Sequence, residues 1–222
     1  WTPATGLSAT TIANPIASPA TTTNYQVTIS DGQGCSRTIR RQVKVSNMAL
    51  SALTTDVLCN GGTNGAINLT VTGGLAPFTY AWSGPGGFTA NTEDITNRPA
   101  GVYTVSVTDI ACTRTQSFTI SQPNALSITL APTIYAFGQN ITCFGSNTGA
   151  IDATLTGGTA PYSVSWTGPS GFTSTNVDIT SLYAGAYTMS VTDANGCNRT
   201  AAATLTQAAA LSASISAFTH VT

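Results

Sequence analysis

Apolar and polar residues alternate strictly along several short segments of the chain. In 102–108 the apolar residues share one face and the threonine and serine residues share the other. The apolar set comprises Tyr103, Val105 and Val107. This period of two predicts half-buried antiparallel strands. Asn195-Gly196 indicates a tight hairpin turn between two such strands.

The sequence repeats itself at an interval of 84 residues. The segment 59–67, Cys-Asn-Gly-Gly-Thr-Asn-Gly-Ala-Ile, returns at 143–151 as Cys-Phe-Gly-Ser-Asn-Thr-Gly-Ala-Ile. The aromatic residues that recur at this interval are Trp82 with Trp166 and Tyr103 with Tyr187. Self-similarity of this kind predicts two copies of one structural module.

Parts of further modules flank the two copies. The stretch around Tyr25 and Cys35 matches the end of the second copy, and the first residue is Trp1 instead of Met, so the chain is expected to start inside a longer protein. The predicted domains are a partial module, two full repeats and the start of another module, at 1–47, 48–123, 124–208 and 209–222. An insertion precedes Cys143. Short junctions without Gly/Ser-rich spacers predict an elongated, semi-rigid string.

The repeated aromatic residues make the predicted fold an all-β tandem of Ig-like antiparallel β-sandwich modules. Trp82 and Trp166 stand in the middle of their modules, where Ig folds place a core Trp. Tyr103 and Tyr187 follow Ala-Gly-x and are typical of a tyrosine corner, whose hydroxyl binds nearby backbone. We therefore predict that these four residues belong to the structural core. The alternative is that they stack on a sugar ring.

Five cysteines follow the repeat. Each full module has one before its first core strand and one after its last hairpin, whereas the partial module has only Cys35. The hypothesis is that each full module closes its own disulfide, Cys59 with Cys112 and Cys143 with Cys197. In the chain-entropy model such a loop contributes about 4 kcal/mol. Disulfides would place the chain outside the cytosol.

Charged residues make up only 7% of the chain, and the net charge is −1. This composition offers no basic surface for nucleic acid and no cationic face for anionic lipid. No apolar run approaches the roughly 18 residues of a membrane span.

The residues that catalysis needs are scarce. The sequence contains one His, His220, one Glu, Glu93, and one Lys, Lys44. Without a CxxC pattern, a zinc site is not expected. We predict no enzyme activity, no cofactor and no metal site.

Acidic residues recur at the last hairpin, at Asp31, Asp109 and Asp193. They are expected to cap the turn in ion pairs with Arg37, Arg114 and Arg199. Calcium binding is the alternative, although calcium requires several clustered oxygen ligands.

The two full modules resemble the SprB-type repeats of cell-surface gliding adhesins in Bacteroidota. The residues that carry this resemblance are Cys59-Asn-Gly-Gly-Thr-Asn-Gly, Gly73-Gly74…Pro77-Phe-Thr-Tyr-Ala-Trp82 and Ala100-Gly-Val-Tyr-Thr-Val-Ser-Val-Thr-Asp109…Cys112. The opening segment from Trp1 to Tyr25 is similar to the PKD/Ig-like repeats of the same kind of protein. This resemblance implies type 9 secretion and display on the outer surface as a filament or adhesin.

The expected function is that of a structural or adhesive segment of a large secreted cell-surface protein. Its expected partners are copies of itself and neighbouring modules, since low charge opposes self-contact only weakly. Two alternatives remain at this stage. One is a polysaccharide-binding module that uses Phe88, Tyr135 or Phe172, and the other is an accessory domain of a secreted hydrolase.

Overall fold

A computed structural model describes residues 1–214. The predicted start of a further module at 209–222 therefore lies largely outside the described residues, as does His220. Contacts divide the chain into two compact units. The first comprises Trp1–Val57 and Gly62–Ser121, and the second comprises Leu58–Gly61 and the chain from Gln122 onward. The loop Leu58–Gly61 thus packs with the second unit although its flanking residues belong to the first.

The first unit opens with an antiparallel hairpin of β1 (Thr23–Ser30) and β2 (Ser36–Val43). Tyr25 on β1 is buried, and its hydroxyl donates a hydrogen bond to the Thr5 carbonyl at 2.7 Å. The Trp1 indole N–H donates to the Ile12 carbonyl at 3.0 Å. The partial module therefore contains its own Trp and Tyr, each bonded to backbone.

The remainder of the first unit is a sandwich of seven strands in two antiparallel sheets. One sheet has the order β3-β4-β7 and the other β6-β5-β8-β9. The strands are β3 (Ala49–Thr55), β4 (Gly65–Thr72), β5 (Thr79–Gly84), β6 (Phe88–Ala90), β7 (Ile95–Arg98), β8 (Gly101–Thr108) and β9 (Thr113–Ile120), with a 3-10 turn at Pro85–Gly87.

The second unit repeats this arrangement with sheets β10-β11-β14 and β13-β12-β15-β16. The strands are β10 (Ser127–Pro132), β11 (Gly149–Thr156), β12 (Ser163–Thr167), β13 (Thr173–Ser174), β14 (Ile179–Leu182), β15 (Gly185–Thr192) and β16 (Asn198–Leu205). A 3-10 turn at Pro169–Gly171 matches the one in the first unit, and another at Ala136–Gly138 lies in the insertion before Cys143. The predicted hairpin between β15 and β16 forms, but its connection is longer than a two-residue turn: it runs over residues 193–197, and the Gly196 N–H donates to the Asp193 carbonyl at 3.0 Å across Ala194 and Asn195.

Each sandwich has its own core between the two sheets. The structure places all four predicted core aromatics there, and none is more than 2% exposed. The Trp82 indole N–H donates to the Thr92 carbonyl, and the Trp166 indole N–H donates to the Asn176 carbonyl, both at 3.0 Å. These bonds satisfy a donor that burial would otherwise leave unpaired.

The predicted tyrosine corners form in both sandwiches. The Tyr103 hydroxyl donates to the Pro99 carbonyl at 2.9 Å, and the Tyr187 hydroxyl donates to the Tyr183 carbonyl at 3.1 Å. The Tyr187 ring lies so close to Gly168 that a Cβ there would be 2.5 Å from the ring. Glycine is therefore required before the repeated proline, because any side chain would collide with the core tyrosine.

Candidate functional site: a cysteine hairpin and a cysteine loop

An aspartate organises the hairpin that carries Cys197. One carboxylate oxygen of Asp193 accepts hydrogen bonds from the backbone N–H groups of Asn195 and Cys197, each at 2.9 Å. The other oxygen accepts from the Thr159 N–H at 2.9 Å. Burial raises the pKa of Asp193, but these N–H donors outweigh it and leave the pKa below its ordinary value. The carboxylate therefore fixes the backbone on which the cysteine sits.

Asp109 holds the corresponding hairpin of the first unit. The Ser46 hydroxyl donates to it at 2.6 Å, and the N–H groups of Leu75, Ala111 and Cys112 also donate to it. Led by the Ser46 bond, these donors hold the pKa of Asp109 far below its ordinary range. Asp31 accepts in the same way from Gln33 and Cys35.

The predicted Asp–Arg ion pairs at these hairpins are wrong. Across residues 1–214 no hairpin aspartate forms an ion pair with the arginine that follows it, and the Arg114 guanidinium donates instead to the Met48 carbonyl at 3.1 Å. The physical reason is that backbone N–H groups inside the turn already occupy the carboxylate. The turn-capping role is correct, but its donors are backbone amides.

The loop that carries Cys59 is held by the chain that leads into the second sandwich. The Gly61 N–H donates to the Gln122 side-chain oxygen at 2.8 Å, and the Asn60 side chain donates to the Pro123 carbonyl at 3.0 Å. The Asn195 side chain of the hairpin donates to the Leu58 carbonyl at 3.0 Å. Loop and hairpin are thus joined by polar contacts beside their cysteines.

Cys59 and Cys197 form a disulfide, with their Cα atoms 5.7 Å apart. Cys35, Cys112 and Cys143 are free thiols. The hypothesis that each module closes its own disulfide is therefore wrong. The bond connects the loop cysteine of one repeat to the hairpin cysteine of the next.

Strand direction explains why a module cannot close on itself. Cys112 immediately precedes β9, whereas the Cys59 loop begins at the far end of β9, where the Val57 N–H donates to the Ser121 carbonyl at 2.9 Å. The eight residues of β9 span about 26 Å at roughly 3.3 Å per residue. A disulfide requires Cα atoms within about 7 Å.

The second unit shows the same separation. Cys197 precedes β16, and the Cys143 loop lies beyond the other end of that strand, where the Gly145 N–H donates to the Gln207 side chain at 2.8 Å. The signal that was missed in the sequence is the direction of the strand that precedes each cysteine. The loop cysteine follows the first strand of a module and the hairpin cysteine follows the sixth, and these two strands end at opposite ends of the sandwich.

The residues proposed for sugar binding divide into two groups. Phe88 packs edge-to-face on Tyr103 at 5.7 Å between ring centroids, and Phe172 packs on Tyr187 at 5.3 Å. Both phenylalanine rings therefore pack against the tyrosine of a tyrosine corner. Tyr135 is 38% exposed, and its hydroxyl donates to the Thr148 carbonyl at 2.9 Å.

The described residues were also searched for clusters of metal-binding side chains and for helices that could span a membrane. Residues 1–214 hold no group of three or more His, Cys, Asp or Glu side chains placed to bind a metal ion. Asp94, which precedes β7, accepts a hydrogen bond from the Leu69 N–H of the paired strand β4 at 2.8 Å. Asp178, which precedes β14, accepts one from the Ala153 N–H of the paired strand β11 at 2.9 Å. Over the same residues, no helix has the length and apolarity of a membrane span.

Paired three- and four-stranded sheets, a core Trp and a tyrosine corner define this chain as a protein of tandem Ig-like β-sandwiches. Two stretches of it, residues 51–87 and 138–171, match the SprB repeat family. Each stretch contains the second and third strands of its sandwich, β4 and β5 in the first and β11 and β12 in the second. No curated protein sequence matches the chain significantly.

Solved structures similar to the chain include several Ig-domain proteins. The N-terminal eight Ig domains of Down Syndrome Cell Adhesion Molecule (DSCAM) align with a TM-score of 0.43 at 13% identity, over 88% of this chain and 30% of that one. The amphioxus IgVJ-C2 molecule aligns with a TM-score of 0.31 at 16% identity, over 72% and 96% of the two chains. Extracellular domains 3–5 of Drosophila OTK align with a TM-score of 0.30 at 13% identity, over 86% and 73%. The fold assignment rests on the strand order and not on these alignments.

Proposed function

We propose that this chain is a structural and adhesive repeat segment of a large secreted cell-surface protein. The observation that carries the proposal is the disulfide between Cys59 and Cys197, which couples one repeat to the next. The two stretches that match the SprB repeat support it, because that repeat and the Ig-like sandwich are typical of extracellular modules.

The position of the disulfide suits a segment that transmits force. A pull on the two ends passes from Cys59 directly to Cys197 through the sulfur atoms. The residues between them, a separation of 138 in sequence, then lie outside the path of the force. Most of both sandwiches would therefore stay folded while the covalent path carries the tension.

The disulfide also supports a location outside the cell. Disulfides persist in oxidising compartments and are rare where thiol reductants are abundant. The resemblance to gliding adhesins adds export by the type 9 route and display within a filament or adhesin to the proposal. Copies of the same chain are the proposed partners, since a surface with 7% charged residues repels itself weakly.

Surface labelling of intact cells tests this proposal. Antibodies raised against residues 1–208 should label intact cells of the source organism, and their Fab fragments should reduce attachment of those cells to a surface. Antibodies against a cytosolic protein provide the control for membrane integrity. Labelling that requires permeabilisation, or attachment unaffected by Fab at saturating surface coverage, contradicts the proposal.

A further inference from the structure

Positive charge is concentrated in the hairpin that opens the chain. Four of the seven Lys and Arg residues lie within 37–44, and the only acidic residue of 1–47 is Asp31. Four cations and one anion give 1–47 a charge of +3, whereas three cations and seven anions give 48–222 a charge of −4. The Asp31 carboxylate already accepts from the N–H groups of Gln33 and Cys35. The net charge of −1 therefore conceals a basic hairpin.

One face of this hairpin carries four polar side chains in two opposite pairs. Asn24 of β1 lies opposite Gln42 of β2, and Gln26 lies opposite Arg40. These four residues form the polar quartet. All are exposed, and within residues 1–214 none of their side chains makes a hydrogen bond. Their Cβ atoms are about 5 Å apart across the strands and about 7 Å apart along them, so their polar ends reach one small area above the sheet.

The corresponding faces of the two sandwiches are built differently. Arg40 pairs with Gln26 as Ser117 pairs with Thr104 and as Ala202 pairs with Thr188. The hydroxyls of Thr104 and Ser117 bond one another at 2.8 Å, and this pair therefore satisfies itself. The sandwich fold does not require an arginine or an amide at these positions. The polar quartet is thus a feature of the first hairpin alone.

Further cations lie beside the polar quartet. The quartet lines an open depression of about 480 Å³ together with Tyr25 and Arg41. Arg37 and Arg41 are exposed on the other face of β2, and Lys44 is exposed directly after the strand. Positive charge of this density attracts an anionic polymer and raises its local concentration. The uncharged amides of the quartet add donors and acceptors for a hydroxylated ligand.

We propose that the polar quartet binds a carboxylate-bearing polysaccharide. The planar Arg40 guanidinium donates two parallel hydrogen bonds to one carboxylate. The amides of Asn24, Gln26 and Gln42 bond the hydroxyl groups of the adjoining sugar units. The inference names the surface to which the adhesive segment attaches, and it rests on the extracellular location proposed above.

Other acidic partners fit this face less well. Nucleic acid uses aromatic rings on which bases stack, and the one ring that lines the depression, Tyr25, is only 2% exposed. A lipid surface requires apolar side chains that enter it, and the quartet has none.

A second copy of the chain has few free carboxylates to offer. Five of the seven acidic residues in 48–222 already accept hydrogen bonds from backbone N–H groups: Asp56, Asp94, Asp109, Asp178 and Asp193.

Binding of the purified chain to immobilised polysaccharides tests the proposal. Biolayer interferometry at about 0.15 M salt compares alginate, whose sugar units carry carboxylates, with neutral dextran. The chain should bind alginate and not dextran, and added salt should weaken the binding because the charges are exposed. Dextran sulfate, double-stranded DNA and vesicles of anionic phospholipid represent the other polyanions. Each should bind more weakly than alginate.

Single substitutions separate recognition from net charge. Arg40→Ser introduces the residue that β9 has at this position and should weaken alginate binding about tenfold, as expected for the loss of a hydrogen bond to a charged group. Gln26→Thr introduces the residue of β8 and should weaken binding about threefold. Arg199→Gln removes the same charge from β16 and should change the affinity by less than about twofold, since exposed distant charges are screened.

Several results would overturn the proposal. These are no binding to alginate, equal binding to neutral dextran, or binding to dextran sulfate, DNA or vesicles as tight as that to alginate. Equal losses from Arg40→Ser and Arg199→Gln contradict it as well, because binding would then follow net charge alone. None of these results changes the surface labelling of intact cells. A chain that binds alginate but is labelled only after permeabilisation would instead contradict the proposed function.

Discussion

Pulled from its two ends, the oxidised chain should reach a full extension about 450–500 Å shorter than that of the reduced chain. The disulfide bypasses a sequence separation of 138 residues, and an extended chain spans about 3.3–3.6 Å per residue. Optical tweezers with handles on both termini measure this difference directly. The double variant Cys59→Ser/Cys197→Ser should extend like the reduced chain.

The difference in extension between the oxidised and the reduced chain distinguishes the possible cysteine pairings. Disulfides from Cys59 to Cys112 and from Cys143 to Cys197 would together hide only about 350–390 Å, in two separately reducible portions. Cys112→Ser should leave the extension of the oxidised chain unchanged, because that thiol is free. A chain whose extension does not change on reduction would show that no cysteine bond lies in the path of the force.

Removal of the core indole of the second sandwich should cost about 3–5 kcal/mol of unfolding free energy, the usual range for a buried Trp→Ala change. Trp166 is completely buried, and Trp166→Ala leaves a large cavity and the Asn176 carbonyl without its donor. Since small domains are stable by only about 5–15 kcal/mol, the second unit should unfold at much lower urea concentration. Urea titration followed by circular dichroism measures the shift.

The matched control is an aromatic residue of the same unit that makes no core contact. Phe137 is 99% exposed, and Phe137→Ala should change the free energy of unfolding by no more than about 0.5 kcal/mol. Equal effects of the two substitutions would contradict the placement of Trp166 in the core.

Local sequence patterns were sufficient to predict the sandwiches. Alternation places Tyr103, Val105 and Val107 on one face, and all three are buried on β8. The second unit could be predicted in the same way, because the residues one repeat interval later show the same alternation of apolar and polar positions. The tyrosine corners follow from Ala-Gly-x-Tyr, since their hydrogen bonds reach only four residues back along the chain.

The cysteine pairing could not be predicted in this way, because it depends on which end of the sandwich each loop reaches. That information is carried by strand direction and by the order of strands in two sheets. The repeat shows that Cys59 and Cys112 belong to one module, but belonging to one module does not bring them together. The hydrogen-bond donors of the hairpin aspartates could not be predicted from the local sequence either. Their neighbours in sequence are arginines, yet the donors that reach Asp109 include Ser46 and Leu75, which are distant along the chain.

Disulfide mapping without reduction tests the central claim most directly. Free thiols of the freshly purified monomer are alkylated, and the chain is digested with trypsin. The peptide 45–114 contains Cys59 and Cys112, and the peptide 115–199 contains Cys143 and Cys197. The bond between Cys59 and Cys197 predicts one species in which these two peptides are linked, with alkyl groups on Cys112 and Cys143. Two separate peptides, each with an internal disulfide and no alkyl group, would contradict the claim.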